Sequence, residues 1–345
     1  MSEKKLFLKN IHYFRAFAII NIVLVHVWTI PERYKESHHT TYTFITTARE
    51  VLFHDSTIYF IFISGFLFYY LSSKFELRRY YKNKAANVIS PYIVMTSLIL
   101  ILKINEYIRP EYSWFFSLKK ILTVFIYGKA QVQYWYIPFI TLVFIISPFL
   151  LKIPKDIFLR IVFIASVLPL FGTRTATELS FWQYIYFFPI YLQGMYVAMD
   201  YSNIILKIDR NKIYLILIAI TSSAFIIISY WNSYYISSPK LTESVFYIQK
   251  LSITFLIILA FQKLENKNIP ILNNFATYSF AIYFTHILVG YNSVRTYYYH
   301  FFTDSSFLIL PASILYAVII TFTTLFICMG VKKLLGKQSR YFIGA

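Results

Sequence analysis

Arg15 and His26 stand eleven positions apart in the apolar stretch IHYFRAFAIINIVLVHVWTI, residues 11–30. A helix rises about 1.5 Å and turns about 100° per residue, so eleven positions span roughly 16 Å and return to within about 20° of the same face. An arginine and an imidazole therefore line one wall of one helix, the first near a membrane surface and the second well inside. Ionisable groups in a membrane span are costly, and their presence there points to function. The chemistry this pair suits is anion binding at Arg15 and proton transfer at His26. Each also has a plain structural reading, Arg15 as a side chain reaching the headgroups and His26 as an interhelical hydrogen bonder.

A second group of charges follows the next apolar run. SSKFELRRYYKNKAANVISPYIV brings together Lys74, Arg78, Arg79, Lys82 and Lys84. Cations at this density are ordinary for a cytoplasmic loop. They are also the groups that pair with phosphate oxygens through charge-assisted hydrogen bonds. Arg15 would lie on the same side, so the set could hold the anionic end of a slim ligand whose other end reaches toward His26. An acyl-coenzyme A has that shape.

The elements that must position these groups are membrane helices. The chain is 58% hydrophobic, 21% aromatic and only 14% charged, with a mean hydropathy of +0.57. That exceeds what one soluble core of this length uses. Apolar runs near the roughly 20 residues a span needs lie at 11–30, 51–71, 88–108, 134–151, 157–172, 181–199, 213–230, 245–262, 274–294 and 307–331. The expectation is an all-α polytopic protein of about ten transmembrane helices, forming one membrane domain over residues 1–345. The first run follows Lys4, Lys5 and Lys9 but lacks a small-residue cleavage site, so it reads as a retained helix. Lys and Arg favour the inner segments when both termini are cytoplasmic. An excess outside, at Lys103, Arg109, Lys119, Lys120 and Lys129, marks a segment with an amphipathic or re-entrant piece at 121–127. The net charge of +18 thus reflects topology and anionic lipid rather than nucleic acid, for which no motif is present. Cys328 is the single cysteine, so no internal disulfide forms.

Several short motifs resemble the acyltransferase-3 family of integral membrane acyltransferases. YFRAFAIINIVLVHVW is similar to its arginine, ten residues, histidine signature. FIFISGFLFYYL resembles its aromatic run ending in Ser64, Gly65 and Phe66, and the basic loop ending in Pro91 and Tyr92 resembles its cationic stretch. YWYIPFI, with Trp135 and Pro138, resembles its Trp-aromatic-x-Pro segment. YSFAIYFTHILV resembles its late Ser-x-x-x-Tyr-x-x-His element at Ser279, Tyr283 and His286, and the closing GKQSRYFIGA is similar to a family tail. Ile58 stands where many members carry an acidic residue, with Asp55 three positions earlier, and Asn87 stands where many carry arginine.

The resemblance implies O-acyl transfer, most simply of acetyl, from cytoplasmic acyl-CoA to a hydroxyl of a cell-surface polysaccharide, lipid-linked saccharide or related glycan. It implies a multi-pass protein of a cell membrane, such as a bacterial inner membrane, with polysaccharide-biosynthesis enzymes as candidate partners. His26 is then the general base, and Arg15, Arg78, Arg79, Lys82 and Lys84 hold the donor. Asp55 is a candidate to orient His26, Ser64 to bond the thioester carbonyl, Trp135 to stack on a sugar and His286 to bind acceptor or orient the site. Each of these four also has a plain reading: Asp55 as a headgroup-facing helix start, Ser64 in helix packing, Trp135 in an aromatic belt and His286 as a packing hydrogen bonder. His38, His39 and His54 lack metal-ligand spacing, so no metal is expected. The competing class is a proton-coupled permease using Arg15, His26, Lys250 and His286. It predicts repeat-related halves and Gly/Pro-broken helices, which are not evident.

Overall fold

The first predicted run forms one helix, Lys9–Val27, and the others pack around it. This computed structural model describes residues 8–108, 111–172, 179–232, 239–302 and 306–345. Lys4, Lys5 and Arg109 lie outside them. Phe14 and Phe17 pack on Tyr59 with ring centroids 5.7 and 5.4 Å apart, joining the central helix to Thr57–Tyr70. Phe17 meets Phe261, joining it to Pro239–Gln262.

All the elements found among the described residues are helical. Among the described residues, six helical stretches are long and apolar enough to cross a membrane: Lys9–Val27, His39–Tyr70, Leu77–Leu102, Lys212–Trp231, Pro239–Gln262 and Phe307–Phe342. The other predicted runs are helical too, but most are shorter. Tyr136–Leu150 has 15 residues and Lys155–Ala165 has 11, both below the length that spans a hydrocarbon core of about 30 Å. Phe181–Met199 has the length but carries Gln183, Gln193 and several tyrosines. The run at 274–294 divides at Tyr278 into Pro270–Thr277 and Ser279–Val289. The amphipathic piece is longer than expected, Trp114–Tyr127, capped by the Ser113 hydroxyl and ended by Gly128 at φ +69°.

Two local features shape the interior. Asp55 has φ +56°, a left-handed conformation that Asp tolerates better than most residues, and it separates His39–Phe53 from Thr57–Tyr70. Lys250 closes the end of the first of these helices by donating from Nζ to the carbonyls of Val51 and Leu52, each at 3.0 Å. Those carbonyls lack intrahelical partners at a helix end. Further along, Thr57–Tyr70 crosses Phe181–Met199 with backbones in contact. A Cβ on Gly65 would lie 2.0 Å from the Tyr191 carbonyl oxygen, and one on Gly194 2.1 Å from that of Phe62. The glycine of the Ser-Gly-Phe motif therefore permits a close helix crossing of the kind small residues allow in membranes.

Candidate active site

A cavity of about 690 Å³ opens at the end of the bundle that carries the basic loop, within the range usual for small-molecule sites. Arg15, Lys74, Arg79, Lys84 and Arg340 line it, with Glu76 as the carboxylate among them. Arg15 is fixed by donation from Nε to Ser279 Oγ at 3.1 Å. Lys84 Nζ sits 3.6 Å from the centroid of Phe144 and 5.4 Å from that of Tyr80, held over aromatic faces. Beyond Lys84 the backbone makes one π turn, Ala85–Ile89, a deformation common at functional sites, and Asn87 within it lines the cavity.

Arg15, Ser64 and Tyr136 all line this cavity. From Tyr136 a line of rings runs onward. Tyr136 lies 5.7 Å from Tyr283, Tyr283 6.5 Å from His286, and His286 5.4 Å from His26. The Tyr283 hydroxyl donates to the Gln133 carbonyl. His286 Nδ1 is 2.9 Å from the Ile282 carbonyl oxygen. A carbonyl only accepts, so Nδ1 carries the hydrogen and Nε2 presents a lone pair. His286 is fully buried, and Nε2 has no hydrogen-bond partner among the described residues.

The late motif and the first motif therefore dock residue on residue. Ser279 holds Arg15, and His286 stands beside His26. Positions seven apart share one helix face, which is why Ser279 and His286 both meet the central helix, whereas Tyr283 packs on Tyr134 and Tyr136. His26, Ser279, Tyr283 and His286 are not among the residues that line the cavity.

A family model described as the acyltransferase domain, Acyl_transf_3, matches residues 8–333. The chain belongs to the acyltransferase-3 family. It is an acyltransferase of the non-aminoacyl kind and a membrane protein. Searches of curated proteins and of solved structures each return no match. Family membership replaces the permease reading with an acyl donor and an acceptor that must both reach one site.

Of the donor residues expected in this acyltransferase, Arg15, Arg79 and Lys84 share the cavity, and Ser64 lines it with them. Arg78 and Lys82 are exposed on the same loop and do not line it. Trp135 is buried and stacks on Phe187 at 5.1 Å, so its ring is covered. Its neighbour Tyr136 faces the cavity instead. The spacing of YWYIPFI gives no hint of which aromatic turns inward. Arg340 and Phe280 also line the cavity, and only their places in two late motifs marked them.

Asp55 belongs to a second charged region. Its Oδ2 accepts from Tyr186 Oη at 2.5 Å, and its Oδ1 is 3.8 Å from His54 Nε2. His54 Nε2 is also 3.6 Å from Glu243 Oε2, while its Nδ1 is 2.5 Å from Glu50 Oε2. Arg49 completes the group on Glu50 at 2.5 Å. His54, Asp55 and Glu243 could in geometry approach one ion, but Arg49 and Lys250 already bring positive charge to the carboxylates, and both His54 nitrogens face carboxylate oxygens. The group forms a buried ion network. His38 and His39 are not members of this group.

Proposed function

We propose that the protein carries an acyl group, most simply acetyl, from cytoplasmic acyl-CoA to a hydroxyl of a cell-surface polysaccharide or lipid-linked saccharide. The observation that carries this reading is the cation-lined cavity joined by a file of rings to the His26–His286 pair. In this reading the chain works as a single domain in a bacterial plasma membrane, with about ten membrane passages and both termini inside. The coenzyme A phosphates lie on Arg79, Lys74 and Lys84. The pantetheine arm passes Arg15, Ser64 and Tyr136, and Arg78 and Lys82 raise the local positive potential at the mouth.

The chemistry follows from the histidine pair. The acceptor oxygen attacks the thioester carbonyl, forming the new C–O bond as the C–S bond breaks. His26 takes the hydroxyl proton and returns it to the departing thiolate, leaving coenzyme A as the free thiol. His286 Nε2, locked as an acceptor by the Ile282 carbonyl, holds the incoming hydroxyl or the protonated His26 in line. The hydroxyls of Ser64 and Tyr136 supply hydrogen bonds along the donor's amides or to its carbonyl. Asp55 stabilises the outer end of the bundle, and Trp135 backs the wall that Tyr136 presents.

The test is transfer of radiolabelled acetyl from acetyl-CoA into the envelope glycan fraction by membranes with matched amounts of wild-type protein or His26→Ala. Label incorporated by wild type and absent with the variant supports the reading. Equal incorporation by both removes His26 from the reaction, and no incorporation by wild type removes acetyl-CoA as donor.

A further inference from the structure

The matched acyltransferase domain ends at residue 333, yet the cavity does not. Arg340, Gly344 and Ala345 form part of its wall. This segment is built in rather than draped. Ser339 is fully buried, and its hydroxyl donates to the carbonyls of Gly336 at 2.7 Å and Ala345 at 2.6 Å. Lys332 Nζ donates to the same Ala345 carbonyl at 2.9 Å. Ser90 Oγ donates to the Tyr341 carbonyl at 3.0 Å, tying the segment to the helix that follows the basic loop. Ile343 is buried in the main core. Gly344 has φ +78°, and a Cβ there would lie 3.1 Å from Phe280 Cδ1, another wall residue of the cavity.

Within this anchored segment Arg340 is half-buried, and its Nε is enclosed with no hydrogen-bond partner among the described residues. Its guanidinium stands 5.4 Å from the Tyr341 ring centroid, which fixes its plane without using its donors. A buried guanidinium nitrogen left without an acceptor is costly, and here it belongs to a cavity whose lining carries Arg15, Lys74, Arg79 and Lys84 beside the Glu76 side chain. What completes it is an oxyanion entering that cavity. A planar fork of N–H donors suits a phosphate best.

We propose that residues 339–345 are a working wall of the donor site and that Arg340 binds a phosphate of the donor's nucleotide end. Lys74 and Glu76 are exposed, which puts them at the mouth, whereas Ser64 and Tyr136 lie in the interior. In this assignment Arg340, with the exposed Lys74 and Arg79 of the same lining, reads the phosphorylated end, and Arg15 the slim arm. The assignment rests on acyl-CoA being the donor.

Two donors of the same acyl group separate the roles: acetyl-CoA, and S-acetyl-pantetheine, which lacks every phosphate. Arg340→Gln should raise KM for acetyl-CoA about tenfold, as expected for one lost charge-assisted bond. It should leave kcat within about twofold and KM for S-acetyl-pantetheine unchanged. Arg340→Lys should recover part of the loss. Calorimetric titration of purified wild type and both variants with coenzyme A gives the binding step directly, and thermal unfolding confirms that the variants are folded. An equal KM increase on both donors, or none on either, overturns the role of Arg340. Failure of wild type to bind coenzyme A overturns the donor reading itself, and this assignment with it.

Discussion

At the cavity, Arg15, Lys74, Arg79, Lys84 and Arg340 share one lining with Glu76. Around His54, three carboxylates meet Arg49 and His54 with ion contacts of 2.5 to 3.8 Å, and the buried Lys250 donates to the neighbouring carbonyls of Val51 and Leu52. Both regions hold charge inside an apolar bundle, where an isolated ion is expensive. The His54 group lowers that cost by pairing within the protein, and its spare donors go to backbone carbonyls. The cavity sets the cations of Arg15, Lys74, Arg79, Lys84 and Arg340 against the Glu76 side chain and leaves room for a ligand to supply further anions. Charge balance and burial together, rather than residue type, separate the structural region, whose Glu50, His54, Asp55, Glu243 and Lys250 are buried, from the cavity, whose Lys74, Glu76 and Arg79 are exposed.

That contrast predicts opposite outcomes when each region is cut. The largest effect on activity belongs to His26→Ala, which should reduce acetyl transfer by about 10²- to 10⁴-fold, the usual contribution of a positioned base. Its unfolding temperature in detergent should stay close to wild type. A variant that unfolds early instead would make His26 a packing residue. Next is Lys250→Met, which removes a cation from the balanced network and leaves the carbonyls of Val51 and Leu52 without their donor. Breaking one partner of a buried ion group costs about 3–5 kcal/mol, so the protein should unfold earlier or accumulate poorly. Material that does fold should keep its KM for acetyl-CoA.

The crossing behind the cavity gives a third, smaller effect. Gly65→Ala or Gly194→Ala forces a methyl against a backbone carbonyl and should destabilise by about 1–3 kcal/mol, read as a lowered unfolding midpoint. Because the helix Thr57–Tyr70 supplies Ser64 to the cavity, KM for the donor should rise with it. An unchanged KM in a destabilised Gly65→Ala protein would show that the crossing and the donor site are independent.

These residues also show what the sequence could and could not reveal. Arg15 and His26 were legible because they share one helix, where spacing converts directly into geometry. The basic loop was legible because local charge density needs no fold to be seen. The His54 network was not: Asp55, Tyr186 and Glu243 come together only through three helices far apart in the chain. The turn at Asp55 was hidden because the apolar pattern runs on past it. Helix ends were hidden as well, because hydropathy measures composition while local turns set where a helix stops: Tyr136–Leu150 has 15 residues and Lys155–Ala165 has 11. Gly65 was visible as part of a motif, but its partner Gly194 has no pairing signal in a single sequence.

The smallest predicted effects divide the basic loop itself. Lys84 lines the cavity and is held over Phe144, so Lys84→Gln should raise KM for acetyl-CoA about tenfold, with kcat little altered. Arg78 and Lys82 belong to the same short helix, Leu77–Lys84, but are exposed away from the cavity lining. Their influence is through the field at the mouth, which salt screens over a Debye length of about 8 Å at 0.15 M. Arg78→Ala and Lys82→Ala should therefore raise KM less than about threefold at low ionic strength and have no measurable effect at 0.5 M salt, on the order of that screening argument. The Lys84 effect should persist at high salt, because a cation enclosed with its ligand is screened much less. Equal losses at all three positions, equally salt-sensitive, would mean that the loop binds the donor as a diffuse patch and that the cavity wall has no special place in it.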